Sequence, residues 1–92
     1  MDERELDVRR ARDRLDILSG LLQSLDRRVE IDLLIWDASD ADEARRRLTS
    51  EPFSFSEAQA YHILDMQLRR RTVADRTRLE DEAAELRAML GD

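Results

Sequence analysis

Apolar residues recur at heptad spacing at both ends of the chain. In the first segment, residues 3–27, they alternate three and four positions apart, at Val8, Ala11, Leu15, Leu18, Leu22 and Leu25. In the last segment, residues 73–90, the steps are four, three and four, at Leu79, Ala83, Leu86 and Leu90. Such spacing places apolar side chains in one stripe along a helix, as at the contact of paired helices. We expect the two end helices to pair with each other as an antiparallel two-helix coiled coil.

Shorter helices are predicted between these two segments. Residues 29–38 place an apolar face on a first one, at Ile31, Leu34, Ile35 and Ala38. Asp40 is predicted as the N-cap of a second, over 41–49, with Glu43 as its reciprocal partner. Pro52 ends this helix, because the residue before a proline is disfavoured in the helical conformation. Phe53, Phe55 and Trp36 are predicted to fill the interior between the short helices, and a partner-binding role for one of the three is the alternative.

A further helix is predicted to begin after Ser56. Gln59 stands three residues later, at the position that completes a capping box. Its apolar face then comprises Ala60, Ile63, Leu64 and Leu68. Thr72, with Asp75 three positions on, is predicted to cap the last helix. No segment alternates as a strand would, so the chain is predicted to be all-α, with residues 28–71 forming a small globular cap on the coiled coil.

Composition favours one small domain that associates with itself. The 92 residues include only two Gly and one Pro, and 41% are charged, which is typical of solvated helices. A chain of this size buries a modest fraction of its surface alone, so a homodimer is expected to stabilise it. We therefore predict a single domain, residues 1–92, that pairs with a second copy.

Charge and chemistry exclude several classes of function. The net charge is −6 and every one of the sixteen basic residues is Arg, so direct DNA binding by this segment alone is not expected. The runs at 45–47 and 69–71 spread around their helices and are interpreted as solvated surface. No apolar run approaches a membrane span and the N-terminus is charged, so no membrane contact and a cytoplasmic location are predicted.

No catalytic centre is predicted. The chain has no Cys, and its single Tyr and single His are neighbours, Tyr61 and His62. One His without ligand spacing does not predict a metal site, and no glycine-rich loop would hold a phosphate. Asp65 lies one turn before Arg69 and is interpreted as an ion-pair partner. Neither a metal nor a cofactor is therefore expected.

The segment 53–68, which reads F-S-F-S-E-A-Q-A-Y-H-I-L-D-M-Q-L, is the most distinctive in the chain. It resembles F-G-L-S-E-x-Q-A-x-x-I-L-D-M-R-L of the bacterial type IIA topoisomerases, namely the A subunit of gyrase and its topoisomerase IV counterpart. Upstream, residues 14–22 read R-L-D-I-L-S-G-L-L and resemble the family's R-x-H-I-L-E-G-L-L. Gly20 falls in this second block, and two interpretations are open: it allows a close helix crossing, or it is an ordinary glycine that the helix tolerates.

The resemblance implies a role in dimerisation rather than in chemistry. In that family these segments belong to the exit gate, a distal dimerisation domain at the end of a coiled coil. The domains with the catalytic tyrosine and the bound magnesium lie elsewhere. The resemblance thus implies a non-catalytic module in ATP-dependent DNA strand passage and supercoiling control. Its dimer interface is expected at Phe53, Phe55, Tyr61, Leu64, Met66 and Leu68.

Other functions remain open from the sequence. The chain could be a regulator that pairs with a topoisomerase subunit, or a general helical adaptor. The initial Met followed by a charged helix favours a free-standing reading frame. Small helical chorismate mutases are a remote alternative, but they grip their substrate with a lysine and this chain contains none.

Overall fold

The chain begins with its longest helix. In a computed structural model, which describes residues 2–67 and 73–91, α1 runs over Glu3–Asp26. Asp2 is its N-cap, and the Asp2 carboxylate accepts a hydrogen bond of 2.8 Å from the backbone N–H of Glu5. Negative charge at this end is favourable, because the first N–H groups of a helix carry partial positive charge.

Four more helices follow in the described part of the chain. They are α2 (Arg28–Asp37), α3 (Ala41–Thr49), α4 (Glu57–Gln67) and α5 (Val73–Leu90). No strand occurs in residues 2–67 or 73–91, so the predicted all-α class is confirmed there. Leu68, the arginines at 69–71 and the predicted cap Thr72 lie outside the described residues, and so does the partner assigned to Asp65.

The helix α3 is held at both ends by side chains. At its start, the Asp40 carboxylate accepts the N–H of Glu43 at 2.8 Å. At its end, the hydroxyl of Ser50 donates to the carbonyl of Arg46 at 2.6 Å. These bonds satisfy backbone groups that a short helix leaves without internal partners. Ala44 and Leu48 are buried on its inner face.

Helices α1 and α5 run antiparallel along each other. Arg14 pairs with Glu82 at 2.6 Å, and Asp26 pairs with Arg76 at 2.6 Å. The residue later in α1, Asp26, pairs with the residue earlier in α5, Arg76, so the two helices run in opposite directions. Of the ten residues assigned to a coiled-coil seam, Val8 is 40% exposed. Four of the others are buried, namely Ala11, Leu18, Leu79 and Ala83. The remaining five are half-buried, namely Leu15, Leu22, Leu25, Leu86 and Leu90.

All five helices contribute to one hydrophobic core. Its members come from every helix and from the loop before α4: Leu18, Leu21, Ile31, Leu48, Phe55, Ala60, Ile63, Leu79 and Ala83. Ser24 is fully buried among them, and its hydroxyl donates to the carbonyl of Leu21 at 2.6 Å. Because this polar group has a partner, its burial is not penalised by a lost hydrogen bond.

None of the helices in residues 2–67 and 73–91 combines the length and the apolar composition that crossing a membrane requires.

Candidate dimer interface

The loop between α3 and α4 turns the chain and carries two phenylalanines. The N–H of Phe55 donates to the carbonyl of Leu48 at 3.0 Å, and the N–H of Ser54 donates to the carbonyl of Ser50 at 2.9 Å. The rings of Phe53 and Phe55 stack with their centroids 6.1 Å apart and their planes 15° from parallel. Phe55 is 5% exposed, whereas Phe53 is half-buried.

The guanidinium of Arg27 lies over the ring of Phe53, the more exposed of the two phenylalanines. The Arg27 guanidinium carbon lies 4.2 Å from the centroid of the Phe53 ring, within the range of a cation–π contact. Arg27 also pairs with Glu30 at 2.9 Å, and its hydrogen bond lowers the pKa of the Glu30 carboxyl below its usual value. Arg27 therefore links the start of α2 to the loop before α4.

The helix α4 is fixed to α1 by its capping box. Ser56 N–H donates to Gln59 Oε1 at 2.9 Å, and Gln59 N–H donates to Ser56 Oγ at 3.1 Å. The Gln59 amide also reaches across to α1 and donates to the carbonyl of Asp16 at 2.7 Å. A Cβ on Gly20 would lie 2.6 Å from Gln59 Cγ, so the two helices cross closely at this glycine.

The six residues predicted at a dimer interface occupy different environments. Phe55 lies in the core and offers almost no surface to a partner. Phe53, Leu64 and Met66 are half-buried and pack against the core from outside. Tyr61 is 65% exposed, and its ring meets that of His62 edge to face at 5.3 Å. Tyr61 is therefore the described member of the six with a large free surface.

A second apolar surface lies on α2, outside the six residues predicted at the interface. Val29, Leu33 and Trp36 are 69%, 64% and 90% exposed, while Ile31 on the same helix is fully buried. Steps of four and three place these three residues on one face of a helix, and we call them the α2 stripe. The prediction that Trp36 plugs the interior is wrong. Its spacing from Val29 and Leu33 is the signal that could have located it.

Two features of the described residues bear on possible chemistry. Within residues 2–67 and 73–91, no three His, Cys, Asp or Glu side chains are grouped so that they could hold a metal ion. A cleft of about 450 Å³ between α2, α3 and the following loop contains Arg47, but Arg47 already pairs with Asp37 at 3.0 Å and with Glu43 at 2.9 Å. The ion pairs of Arg47 in this cleft connect α3 to the end of α2.

Comparison with known proteins identifies the family. The model of the family described as the A subunit of DNA gyrase/topoisomerase IV matches residues 1–92. The chain belongs to this family. It is similar to the DNA gyrase A subunit of Lawsonia intracellularis, with 45% identity over 84 residues, which are 91% of the chain and 10% of that relative.

Two further relatives lead to the same family. The DNA gyrase A subunit of Campylobacter jejuni is 44% identical over 80 residues, 87% of the chain and 9% of the relative. The Mycobacterium bovis protein of the same name is 40% identical over 85 residues, 92% of the chain and 10% of the relative. The chain thus spans about a tenth of the length of the curated relatives it matches. The predicted resemblance to the gyrase A subunit is confirmed.

Proposed function

We propose that this chain is a non-catalytic dimerisation module of the gyrase A-subunit family, corresponding to the exit gate. The family match over residues 1–92 carries this proposal. In this role α1 and α5 form a coiled-coil arm, and α2, α3 and α4 form the globular end that meets a second copy. The module then contributes to ATP-dependent DNA strand passage and supercoiling control by holding two subunits together. A role in DNA topology also implies a cytoplasmic location.

The amount of exposed surface supports self-association. The chain exposes 6544 Å², roughly 1,000 Å² more than a compact monomer of its mass would expose. Its radius of gyration is 14.4 Å, against about 12 Å for a compact chain of this length. A standard protein interface hides about 800 Å² on each partner. Pairing two copies through the globular end would therefore remove an area close to this excess.

The proposal assigns no reaction to this chain. In this role Tyr61, the single tyrosine, contacts the second copy, together with Phe53, Leu64 and Met66. Phe55 supports the loop from the core, and Leu68, which lies outside the described residues, is the sixth residue proposed for the contact. Any chemistry on DNA would come from other parts of a complete subunit.

Self-association is tested by sedimentation equilibrium of the 92-residue chain from about 1 to 100 μM. A two-fold homodimer is expected, with a dissociation constant inside or below this range. A monomer at every concentration would contradict the proposed function.

The gate role is tested by transferring this segment into a complete gyrase A subunit. In the gyrase A subunit of Lawsonia intracellularis, the 84 aligned residues are replaced by the matching part of this chain. We expect the chimaera, combined with its partner subunit, to retain ATP-dependent supercoiling. A chimaera that still dimerises but relaxes and supercoils no DNA would show that dimerisation by this chain does not supply a working gate.

A further inference from the structure

We propose that the α2 stripe, Val29, Leu33 and Trp36, is a docking surface for another protein, whose contacting segment is a helix with a row of apolar residues between basic ones. The inference goes beyond the proposed function and does not depend on it. No residue of the stripe is among the six proposed for the contact between two copies. The stripe therefore remains available in a pair that forms through those six.

The stripe is an apolar face that the fold of one chain does not use. Ile31 lies on the opposite side of α2 and is fully buried in the core. The three stripe residues expose between 64% and 90% of their surface. Large exposed apolar side chains grouped on one element are typical of interaction sites, and Trp is among the residues most enriched where interfaces concentrate their binding energy.

The shape of the stripe matches a helix. From Val29 to Trp36 it covers two turns of α2, about 10 Å along the helix axis. An amphipathic helix presents apolar side chains at the same steps of three and four positions, so its apolar row can lie along the stripe.

The charges around the stripe select the basic residues of the partner. Residues 29–44 contain six carboxylates and no basic residue. Helical geometry places Glu30 and Asp37 on one flank of the stripe and Asp32 on the other. The Glu30 and Asp37 side chains are 59% and 75% exposed. Each already has an arginine partner in its own chain, but a carboxylate offers about four acceptor positions, so Lys or Arg of a docked helix can share it.

The same charges disfavour a second copy as the occupant of the stripe. Two identical stripes facing each other would bring the carboxylates of both flanks together, between chains that each carry a net charge of −6. Like charges set against each other suppress the wrong partner, whereas opposite charges favour the right one. The emission of Trp36, the only tryptophan, should therefore stay at the wavelength of an exposed indole as the chain alone is concentrated.

The docking surface is tested with two designed peptides of about 20 residues, long enough to form a helix. Both have Leu at steps of four and three and contain no Trp, and the first has Lys on both sides of the Leu row. The second has Glu in place of every Lys. We expect the Lys peptide to move Trp36 emission to shorter wavelength as it covers the indole, and to bind at least ~10-fold more tightly than the Glu peptide at about 0.15 M salt.

The test variant is Leu33→Glu, and Met89→Glu is its matched control. Leu33 is 64% exposed on α2 and Met89 is 65% exposed on α5, so both variants exchange an equally exposed apolar side chain for a carboxylate. Leu33→Glu is expected to raise the dissociation constant of the Lys peptide at least ~30-fold, the effect of losing a residue at the centre of an interface. Met89→Glu, with the same net charge, should leave it within about twofold. Circular dichroism should show unchanged helix content in both.

Each contrary result overturns the docking surface. Equal binding of the two peptides would show that the flanking carboxylates do not select the partner. Equal weakening by the two variants, or none by Leu33→Glu, would show that a basic peptide is attracted to the net charge alone. A Trp36 shift on concentrating the chain by itself would show that a second copy occupies the stripe. A chain that stays monomeric but binds the Lys peptide through Leu33 would contradict the proposed function and support the docking surface.

Discussion

At the scale of single residues, Gly20 sets how closely α1 and α4 approach. A Cβ at this position would meet Gln59 Cγ at 2.6 Å, Cδ at 2.8 Å and Cβ at 2.9 Å. Gln59 has little freedom to move aside, because its amide is bonded to Ser56 on one side and to Asp16 on the other. The glycine therefore serves tertiary packing at the cost of some helix propensity.

Gly20→Ala should consequently destabilise the fold. Alanine is favoured over glycine inside a helix by about 1 kcal/mol, whereas overpacking costs about 1–3 kcal/mol. We expect a net loss of about 1 kcal/mol in the free energy of unfolding, measured by urea denaturation. Adding Gln59→Ala removes Cγ and Cδ, the two closest of the three atoms, so the double variant should lose less than the sum of the two single losses. Strict additivity would mean that Gln59 is not what opposes the alanine.

Ser54 adopts a backbone conformation that suits glycine better. Its φ is +54°, in the left-handed region, and its side chain is exposed. The family segment F-G-L-S-E has glycine at the aligned position, whereas this chain has F-S-F-S-E. The N–H of Ser54 holds the turn by donating to the carbonyl of Ser50 at 2.9 Å, so the conformation is set by the turn.

We therefore expect the protein to be most stable with Gly at position 54, less stable with Ser and least stable with Val. Ser54→Gly removes a left-handed penalty of about 1–2 kcal/mol and adds about 0.5–1 kcal/mol of unfolded-chain entropy, for a net gain of up to about 1.5 kcal/mol. Ser54→Val should lose about 1 kcal/mol, since a β-branched side chain tolerates this region poorly. Thermal denaturation of the three proteins measures the order. A glycine variant less stable than the valine variant would contradict the backbone explanation.

At the scale of elements, the turn between α2 and α3 depends on the charge of Glu43. The Glu43 carboxylate accepts hydrogen bonds from the hydroxyl and the N–H of Ser39, and it pairs with Arg47 at 2.9 Å. The Ser39 hydroxyl contributes most to holding the pKa of Glu43 below its usual value, followed by the Ser39 N–H and by Arg47. All three interactions favour the ionised carboxyl.

This lowered pKa predicts a pH-dependent contribution to stability. Because the folded-state pKa lies below the unfolded value of about 4.5, the contribution is complete above pH 4.5 and is lost as pH falls through the folded-state pKa. Glu43→Gln should be less stable than the parent at pH 7, and the difference should shrink under acid conditions. Urea denaturation at pH 7, 5, 4 and 3 measures it, with Glu85→Gln, an exposed glutamate of α5, as the control. A difference that stays constant down to pH 3 would exclude the carboxylate as its source.

Helix boundaries were predictable because local chemistry marks them. The sequence predicted a helix over 41–49 from Asp40 and Glu43, and α3 occupies Ala41–Thr49. Ser56 and Gln59 likewise predicted the start of α4, which begins at Glu57. Cap residues act within three or four positions of the chain, so their spacing alone carries the information.

The exposure of Trp36 was not predictable in the same way. The sequence placed the apolar face of α2 at Ile31, Leu34, Ile35 and Ala38, and in the structure Ile31 is buried and the other three are half-buried. Hydrophobicity favours an interior position for Trp36 as well, but tertiary contacts bring Ile31 into the core with Leu18 and Leu48 and leave the indole 90% exposed. The prediction for Trp36 therefore failed where the helix boundaries succeeded.

At the scale of the whole molecule, apolar contacts contribute more than ion pairs to the stability of the α1–α5 pair. The pairs Arg14–Glu82 and Arg76–Asp26 span α1 and α5, but all four side chains are 39% to 62% exposed. Exposed pairs contribute about 0–1 kcal/mol each and are screened by salt. Leu18, Leu79 and Ala83 lie in the dry interior between the same helices, so the arm should remain paired at high ionic strength.

Ionic strength should therefore act mainly on the association of two chains. Each copy carries a net charge of −6, so two copies repel each other. Raising salt from about 0.05 to 1 M shortens the Debye length to about 3 Å and screens this repulsion, while an apolar contact between the copies would be retained. If the proposed dimer forms through such a contact, we expect its dissociation constant to fall about tenfold over this range, as measured by sedimentation equilibrium. An interface built from ion pairs between chains would weaken with salt, so a rising dissociation constant would contradict an apolar contact.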